Sequence, residues 1–287
     1  MNVVLFPNFK KKNALNCALS ACDILYKLDI NVFVDEDYKD EFYEKKYVQY
    51  GTVQELIKSC DIVIAIGGDG TILKCAKLVA EANKLILGIN SGRLGFMASV
   101  ELEELEKLSK LKTGDYFVEK RMMLEVIHFS DKFIKVYTAL NDVVIARSYS
   151  RLSDFKIYSN SVLVSNTRAD GLVFGTPTGS TAYSLSAGGP IIEPCMECIE
   201  FTPICPHSLF SRPILFSAEK TLTVTLENTE NPDVYFSIDG MDGIKFKNTD
   251  KLAISKSKSY INLIDLKGNT FYDSINQKLM QSIKGVG

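Results

Sequence analysis

Residues 62–66 read IVIAI and residues 85–89 read LILGI. Both runs are apolar without a break, and the first is mostly β-branched, which suits strands covered on both faces, as in parallel sheets. Between them, Ile72, Leu73, Ala76 and Val79 mark one helical face, with Lys74 and Lys77 off it. Strand, helix and strand make a βαβ unit, whose crossover is right-handed. The alternation extends back to the start of the chain. VVLF (3–6) reads as a strand, and Asn13, a good N-cap, precedes Leu15, Ala18, Leu19, Cys22 and Leu25 at helical spacing. INVFV (30–34) is a further strand, and Thr52 is placed to cap VQELIKS. The segment 99–112, SVELEELEKLSKLK, carries Glu early and Lys late, as a helix dipole favours, and predicts a helix.

From about residue 120 the texture changes. MLEVIHF, FIKVYTAL, DFKIYS, VLVS, RPILFS, TLTVTLE, DVYFSID and YINLIDL are short, many of them alternate, and turn residues separate them. That is antiparallel β patterning. One helix-like stretch falls around 180–187. The end, FYDSINQKLMQSI, reads as a helix with Phe271, Ile275 and Leu279 on one face. The expected fold is an N-terminal Rossmann-like parallel α/β domain and a C-terminal antiparallel β-rich domain. The domains are residues 1–119, joined by a tail (266–287) that packs back on them, and residues 120–265.

Composition narrows the function classes. The chain has 287 residues with 33 basic and 35 acidic side chains, a net charge of −2. No basic excess drives general affinity for nucleic acid or anionic membranes, although a local phosphate pocket is allowed. No apolar run reaches bilayer length. The N-terminal MNVVLFPNFKKKN has its lysines after the apolar residues, the reverse of a secretory signal, so a cytoplasmic location is expected. The seven cysteines are an odd number, which fits reduced thiols in the cytosol.

The sharpest local feature is GGDGT (67–71), directly after IVIAI. A glycine loop at the carboxyl end of a parallel strand is where α/β proteins bind ligands. Glycines let backbone N–H groups approach a phosphate, and the following helix offers its positive end. Gly67, Gly68, Gly70 and Thr71 are therefore candidate phosphate ligands. Asp69 would repel phosphate unless it holds Mg²⁺ between phosphates or takes a proton from an attacking hydroxyl. The plainer alternative is a Gly-Asp-Gly turn with Asp69 as a helix N-cap. Neither G-x-x-x-x-G-K-[ST] nor G-x-G-x-x-G occurs, which disfavours P-loop enzymes and ordinary dinucleotide dehydrogenases. A second dense block, TPTGSTAYSLSAGGP, has Pro177 and Gly179 to fix a turn and Ser180 or Thr181 to cap a helix. Thr178, Thr181 and Ser186 offer hydroxyls and Tyr183 an aromatic face, for a flat ligand or merely as a hydroxyl-rich loop over a core tyrosine.

GGDGT, GINSGRLGF (88–96), ND (141–142) and DGLVFGTPTGSTAYSLSAGGPI (170–191) together resemble the NAD kinase family, and PICPHSLFSRPI (203–214) and SIDG (237–240) extend the likeness. GGDGT alone is shared with lipid kinases and phosphofructokinases; the 22-residue block is the specific part. The resemblance implies phosphoryl transfer to the adenosine 2′-hydroxyl of NAD, from ATP or polyphosphate with Mg²⁺. It implies that Asp69 orients or deprotonates that hydroxyl, or holds Mg²⁺. It places Asp69, Gly70, Asn141, Asp142, Asp170 and Thr178, with Thr181, Ala182, Tyr183, Ser184, Leu185 and Ser186, at the NAD site. Arg151 and Arg168 match basic positions near NAD, although a surface ion pair is the ordinary use of a lone Arg. Glu is common where Asp142 stands, Ser where Gly175 stands and Gln where Met241 stands. Homodimers or homotetramers, with Asp170 near a partner chain and the active site between the domains, are also implied.

Two alternatives remain open at this level: a lipid or sphingoid-base kinase of the same superfamily, and a non-catalytic NAD(P) sensor. His128 reads as structural and His207 as a buried hydrogen-bonding residue. Cys195, Cys198, Cys205 and His207 have some of the spacing of a zinc site, but a second C-x-x-C is lacking and free thiols are the expectation.

Overall fold

The computed structural model describes residues 1–92, 95–148, 152–227, 233–268 and 271–277. The chain forms two compact units, Met1–Lys120 with Ile261–Gly287, and Arg121–Tyr260.

In the first unit the apolar runs become strands β1 (Asn2–Pro7), β2 (Asn31–Asp35), β3 (Gln49–Gly51), β4 (Ile62–Gly67), β5 (Leu85–Asn90) and β6 (Val100–Glu101). The helices are α1 (Ala14–Lys27), α2 (Val53–Ser59), α3 (Asp69–Val79) and α4 (Ser109–Thr113). Strand order is β3-β2-β1-β4-β5, with β6 also on β5, and every pairing is parallel. All six residues of β4 are buried, as its unbroken apolar sequence requires. The expected N-caps Asn13 and Thr52 stand at their helix starts, but neither caps with its side chain. Thr52 instead donates to Glu55 Oε2 at 2.8 Å. The expected single helix over 99–112 is divided into β6, a 3₁₀ turn (Leu102–Leu108) and α4. The break lies at Glu104, whose φ is −117° and whose carboxylate accepts the backbone N–H of Glu101 and pairs with Lys107. A local charge pattern does not reveal that competition.

The second unit holds most of β7 (Phe117–Phe129), with β8 (Ile134–Ala139), β9 (Asp142–Arg147), β10 (Ser153–Ser159), β11 (Val162–Ala169) and β12 (Gly171–Gly175). It continues with α5 (Tyr183–Ser186), β13 (Cys198–Ile204), β14 (Ile214–Ser217), β15 (Leu222–Glu227), β16 (Val234–Ile238), β17 (Ile244–Phe246) and β18 (Lys251–Asp265). One sheet runs β14-β13-β12-β9-β16-β17 and is antiparallel throughout. β11, β10, β15, the first part of β18, β7 and β8 build the other. Both sheets feed one core that includes Phe155, Phe174, Phe201 and Phe236. His128 is buried there, 3.0 Å from Asp250 Oδ2 and edge-on to Phe236, the structural position expected of it.

The far end of β18 belongs to the first unit, where Asn262 and Leu263 pair in parallel with Leu85 and Ile86 of β5. Ser99 Oγ donates to Ile264 O and Lys110 Nζ to Leu266 O, while Phe271 and Ser274 are buried. The tail thus packs on the first unit; Leu279 lies outside the described residues. Ile64, at the centre of β4, has no exposed surface. Ile64→Ala should lower the unfolding free energy by about 3 kcal/mol, read as an earlier urea midpoint at unchanged slope.

Candidate active site

In the first unit, the end of β4 and the start of α3 carry one group of candidate residues. Asp69 is the first residue of α3, with Gly68 at the cap, so it is not the N-cap that the plain-turn reading supposed. An acidic residue in a first helical turn is favoured by the dipole. The carboxylate is held by another segment: Oδ2 accepts the backbone N–H of Phe96 at 2.9 Å and Oδ1 that of Met97 at 3.2 Å. Gly95 makes this approach possible, because a Cβ there would stand 2.2 Å from Asp69 Oδ1. The two glycine-rich stretches GGDGT and GINSGRLGF thus meet around one carboxylate.

Gly67, Gly68, Asp69, Gly70 and Thr71 line a cavity of about 890 Å³. Thr71 is buried, and its hydroxyl accepts from Asn8 Nδ2 at 3.2 Å, so it ties the glycine loop to the β1–α1 loop. Lys11, Lys12, Lys74 and Ser91 also border the cavity. The sequence motifs assign none of these four a role, because a glycine pattern does not show which loops fold beside it.

The second unit carries its own group of candidate residues, on β9, β12 and β13. Asp142, Gly175 and Glu200 occupy one cross-strand register, so Asp142 and Glu200 share a sheet face with a glycine between them. Both carboxyls are buried. Glu200 Oε1 accepts from Thr202 Oγ1 at 3.0 Å, while its Oε2 has no partner. Burial, with Asp239 and then Glu200 nearby, pushes Asp142 up to about 7. Burial also raises Glu200, against the hydrogen bonds of Ser184 and Thr202. Asp239 holds the strand start. It sits in the left-handed region at φ +49° and accepts the N–H groups of Leu140, Asn141 and Asp142 at 3.0, 2.8 and 3.1 Å. A left-handed non-glycine residue is strained, and three charge-assisted hydrogen bonds offset that cost. Asn141 is buried with its Oδ1 unpartnered.

The hydroxyl-rich block lies against this corner. Thr176 Oγ1 donates to Leu140 O at 2.6 Å and Thr176 N to Asn141 O at 2.9 Å. Gly179 touches the same carbonyl so closely that a Cβ would stand 2.0 Å from Asn141 O. The helix expected around 180–187 is a 3₁₀ turn (Gly179–Thr181) followed by α5, with Thr178 and Ala182 at the caps, not Ser180 or Thr181. Ser180 Oγ instead bonds Pro177 O. Thr178 is buried, 3.4 Å from Arg121 Nη1, and Ser184 is buried, 2.9 Å from Thr202 Oγ1. Thr181 and Ala182 are half-buried, and Ser186, Leu185 and Tyr183 are exposed, Tyr183 at 45%. The tyrosine is not a core residue.

The remaining candidates separate from this cluster. Arg168 makes a two-pronged ion pair with Asp154, both contacts at 2.8 Å, on the exposed face of β10 and β11. That is the surface use of Arg foreseen as the alternative. Asp170 is exposed just beyond β11, and Arg151 lies outside the described residues. His207 is exposed, contrary to the buried position expected. Cys198 is buried, whereas Cys195 and Cys205 are exposed. Among the described residues no group of three His, Cys, Asp or Glu could hold a metal ion.

Asp142 carries a testable consequence. Its folded pKa lies above the ordinary carboxyl value, so its contribution to stability is fully present below pH 4 and is lost as pH rises through about 7. The unfolding free energy of the ligand-free protein should fall by about 3 kcal/mol between about pH 5 and pH 8. Asp142→Asn should flatten that slope in urea titrations.

Two family descriptions match the chain: the ATP-NAD kinase N-terminal domain over residues 3–116 and the ATP-NAD kinase C-terminal domain over residues 140–266. NAD kinase of Thermoanaerobacter sp. (strain X514) is 40% identical over 285 residues, covering 97% of this chain and 99% of that protein. NAD kinase of Acetivibrio thermocellus is 34% identical over 284 residues, covering 97% of each chain. Among solved structures, yeast NADH kinase complexed with NADH superposes with a TM-score of 0.89 at 25% identity, over 97% of this chain and 87% of that one. The NAD kinase from Archaeoglobus fulgidus in complex with ATP shares the fold, with a TM-score of 0.72 at 24% identity over 95% of both chains. The matched domains and the full-length identity place this chain in the NAD kinase family.

Proposed function

We propose that this enzyme phosphorylates the adenosine 2′-hydroxyl of NAD to give NADP, with a nucleoside triphosphate as donor. The observation that carries the reading is Asp69, a carboxylate fixed by two backbone amides at the mouth of a glycine loop. In the transfer, the ribose O2′ forms a bond to the γ-phosphorus as the bond from that phosphorus to the β–γ bridging oxygen breaks. The nucleoside diphosphate leaves, and the hydroxyl proton passes to Asp69. Such chemistry asks a protein mainly for positioning and charge neutralisation.

The backbone of Gly67, Gly68 and Gly70 accommodates the phosphates; Thr71 acts through the loop it anchors. Asn141 and Asp142 receive the adenosine part of NAD, with the unpartnered Asn141 Oδ1 and the raised Asp142 carboxyl as polar contacts. Thr178, Thr181, Ala182, Tyr183, Ser184, Leu185 and Ser186 line the remainder, Tyr183 by its exposed ring and Ser184 by holding Thr202 beneath. Asp170 lies toward the nicotinamide end in this reading and Arg168 near NAD, so Arg168 must exchange its Asp154 partner for the ligand; Arg151, the other basic candidate, lies outside the described residues.

A divalent cation, Mg²⁺, fits the donor set. Each Asp69 oxygen accepts one backbone N–H and retains lone-pair capacity, and no cluster of protein ligands among the described residues competes for the ion. Mg²⁺ prefers one or two carboxylates with phosphates and water, and it would neutralise charge on the donor. We place the enzyme in the cytoplasm on its cysteine usage. No helix of the described residues is long and apolar enough to cross a membrane. We also read it as a homodimer or homotetramer: Val162 and Leu163 on edge strand β11 are 68% and 50% exposed, and Leu209 and Phe210 are 85% and 92% exposed. Open apolar edges are ordinarily covered.

Asp69→Asn should lower NADP formation by about 10²–10⁴-fold while NAD binding persists, measured by a coupled NADP assay beside calorimetric titration. Equal NADP formation by variant and wild type would remove Asp69 from the chemistry.

A further inference from the structure

Glu200 lies between the motif blocks 170–191 and 203–214 and belongs to neither. It is nevertheless completely buried, in the middle of β13. Its neighbours Ile199 and Phe201 join the core of the second unit. Successive side chains of a strand point to opposite faces, so Glu200 and Thr202 turn the other way, onto the face that carries Asp142. Asp142 and Glu200 flank Gly175 in one register row, two strands apart, with about 10 Å between their backbones. No side chain rises between them.

The surroundings are shaped to this carboxyl. A Cβ at Gly175 would stand 3.2 Å from Glu200 Oε2. On the other side Gly189 closes over Oε1, where a Cβ would stand 2.1 Å away and would also strike Ser184 Oγ at 2.4 Å. The two oxygens are used unequally. Oε1 accepts Thr202 Oγ1 at 3.0 Å, and Thr202 Oγ1 lies 2.9 Å from Ser184 Oγ of α5. Oε2, over Gly175, has no partner, and neither has the buried Oδ1 of Asn141. A buried oxygen without a donor is costly and calls for an explanation. The ionisable groups around this corner are Asp142 on β9, Asp239 beyond β16 and the Cys198 thiol on β13. β12 brings none, and the turn 176–189 brings only Tyr183. Arg121 of β7 meets that turn at Thr178 Oγ1, 3.4 Å away. With like charges close and water excluded, Asp142 and Glu200 hold protons more readily than isolated acids.

We propose that Glu200 is a positioning residue for NAD: through Thr202 and Ser184 it seats the hydroxyl-rich wall on α5, and across Gly175 it governs the carboxyl that Asp142 presents to the adenosine part. This rests on the reading of Asp142 as an NAD contact and adds to it a residue from another strand. A ribose hydroxyl or an adenine amine donates most strongly to Asp142 when that carboxyl is ionised. Removing the Glu200 charge removes a repulsion, so Asp142 then ionises at lower pH. Glutamine at 200 keeps an oxygen for Thr202 and drops the charge, whereas alanine drops both, so the two halves of the role can be read separately.

The test uses the full chain with Glu200→Ala, Glu200→Gln and Asp142→Asn. NAD binding is read by calorimetry without a donor, beside the KM values for NAD and ATP. Glu200→Ala should raise the NAD dissociation constant and KM roughly tenfold, with the KM for ATP within about twofold, and Glu200→Gln should recover most of that loss. The wild-type NAD dissociation constant should fall as pH rises through the titration of Asp142, and in Glu200→Gln that inflection should move down by about one pH unit. The pH at which the ligand-free protein loses stability in urea should move down with it, a readout that needs no NAD. A merely structural Glu200 would change the urea midpoint and leave the NAD constant and both inflections in place, which would overturn the positioning role. So would an ATP KM that rises in step with the NAD KM. NAD affinity weakened by Asp142→Asn but untouched by Glu200→Ala defeats the role of Glu200 alone. NAD affinity indifferent to Asp142→Asn defeats the assignment of Asp142 to NAD, while a shifted urea inflection in Glu200→Gln still reports the coupling of the two carboxyls.

Discussion

The Asp69 carboxylate accepts one backbone N–H from Phe96 and one from Met97, and much of the first unit is arranged so that it can. β4 must be buried and parallel for its carboxyl end to open into a loop, which its unbroken run of Ile, Val and Ala ensures. β5 must run beside it in register, Gly67 opposite Asn90, so that the next loop arrives at the same edge. Ser91 N donates to Gly67 O at 2.8 Å and closes the two loops together. Gly95 then admits the carboxylate where any side chain would collide with it. A carboxylate fixed by main-chain amides needs no reorganisation when charge moves nearby, which is the value of preorganisation.

The second unit uses carboxylates differently. Asp239 is spent on structure: it bonds three successive amides and so fixes the first residues of β9. Asp142 and Glu200 then face one another across the glycine of β12, in a buried setting that disfavours charge on both. The side chain missing at Gly175 is part of this arrangement, since a Cβ there would stand 3.2 Å from Glu200 Oε2. Three acids close together are tolerated because one is satisfied by amides and the other two are held toward their neutral forms. Gly179 completes the corner by letting the hydroxyl-rich turn rest on the Asn141 carbonyl.

Much of this was legible before any coordinates. Continuous apolar runs reported the parallel strands, because a strand covered on both faces has no polar positions to give. Alternation reported many of the antiparallel strands for the complementary reason. Among the strands that the patterning does not announce, β9 carries Asp142, β12 is GLVFG and β13 carries Glu200. Their polar and glycine residues disguise a central sheet as loop, although those same residues are what the site uses. His207, read as a buried hydrogen-bonding residue, follows the end of β13 and is exposed. Arg168 illustrates the limit from the other side: its ion pair with Asp154 depends on β10 and β11 being neighbours, and pairing is not written in either strand.

The amino-acid sequence alone determined that a parallel α/β part precedes a β-rich part, that a glycine loop with an acid closes a buried strand, and which family pattern the motifs follow. Each of those rests on local periodicity or on contiguous residues, so reading along the chain suffices. Tertiary structure alone decided that Phe96 and Met97 hold Asp69, that Asp239 and Glu200 join Asp142, and that Lys11, Lys12 and Ser91 border the glycine-loop cavity. Those groups are separated by tens of residues, and their meeting is set by strand order and register, which depend on how all the buried faces pack at once.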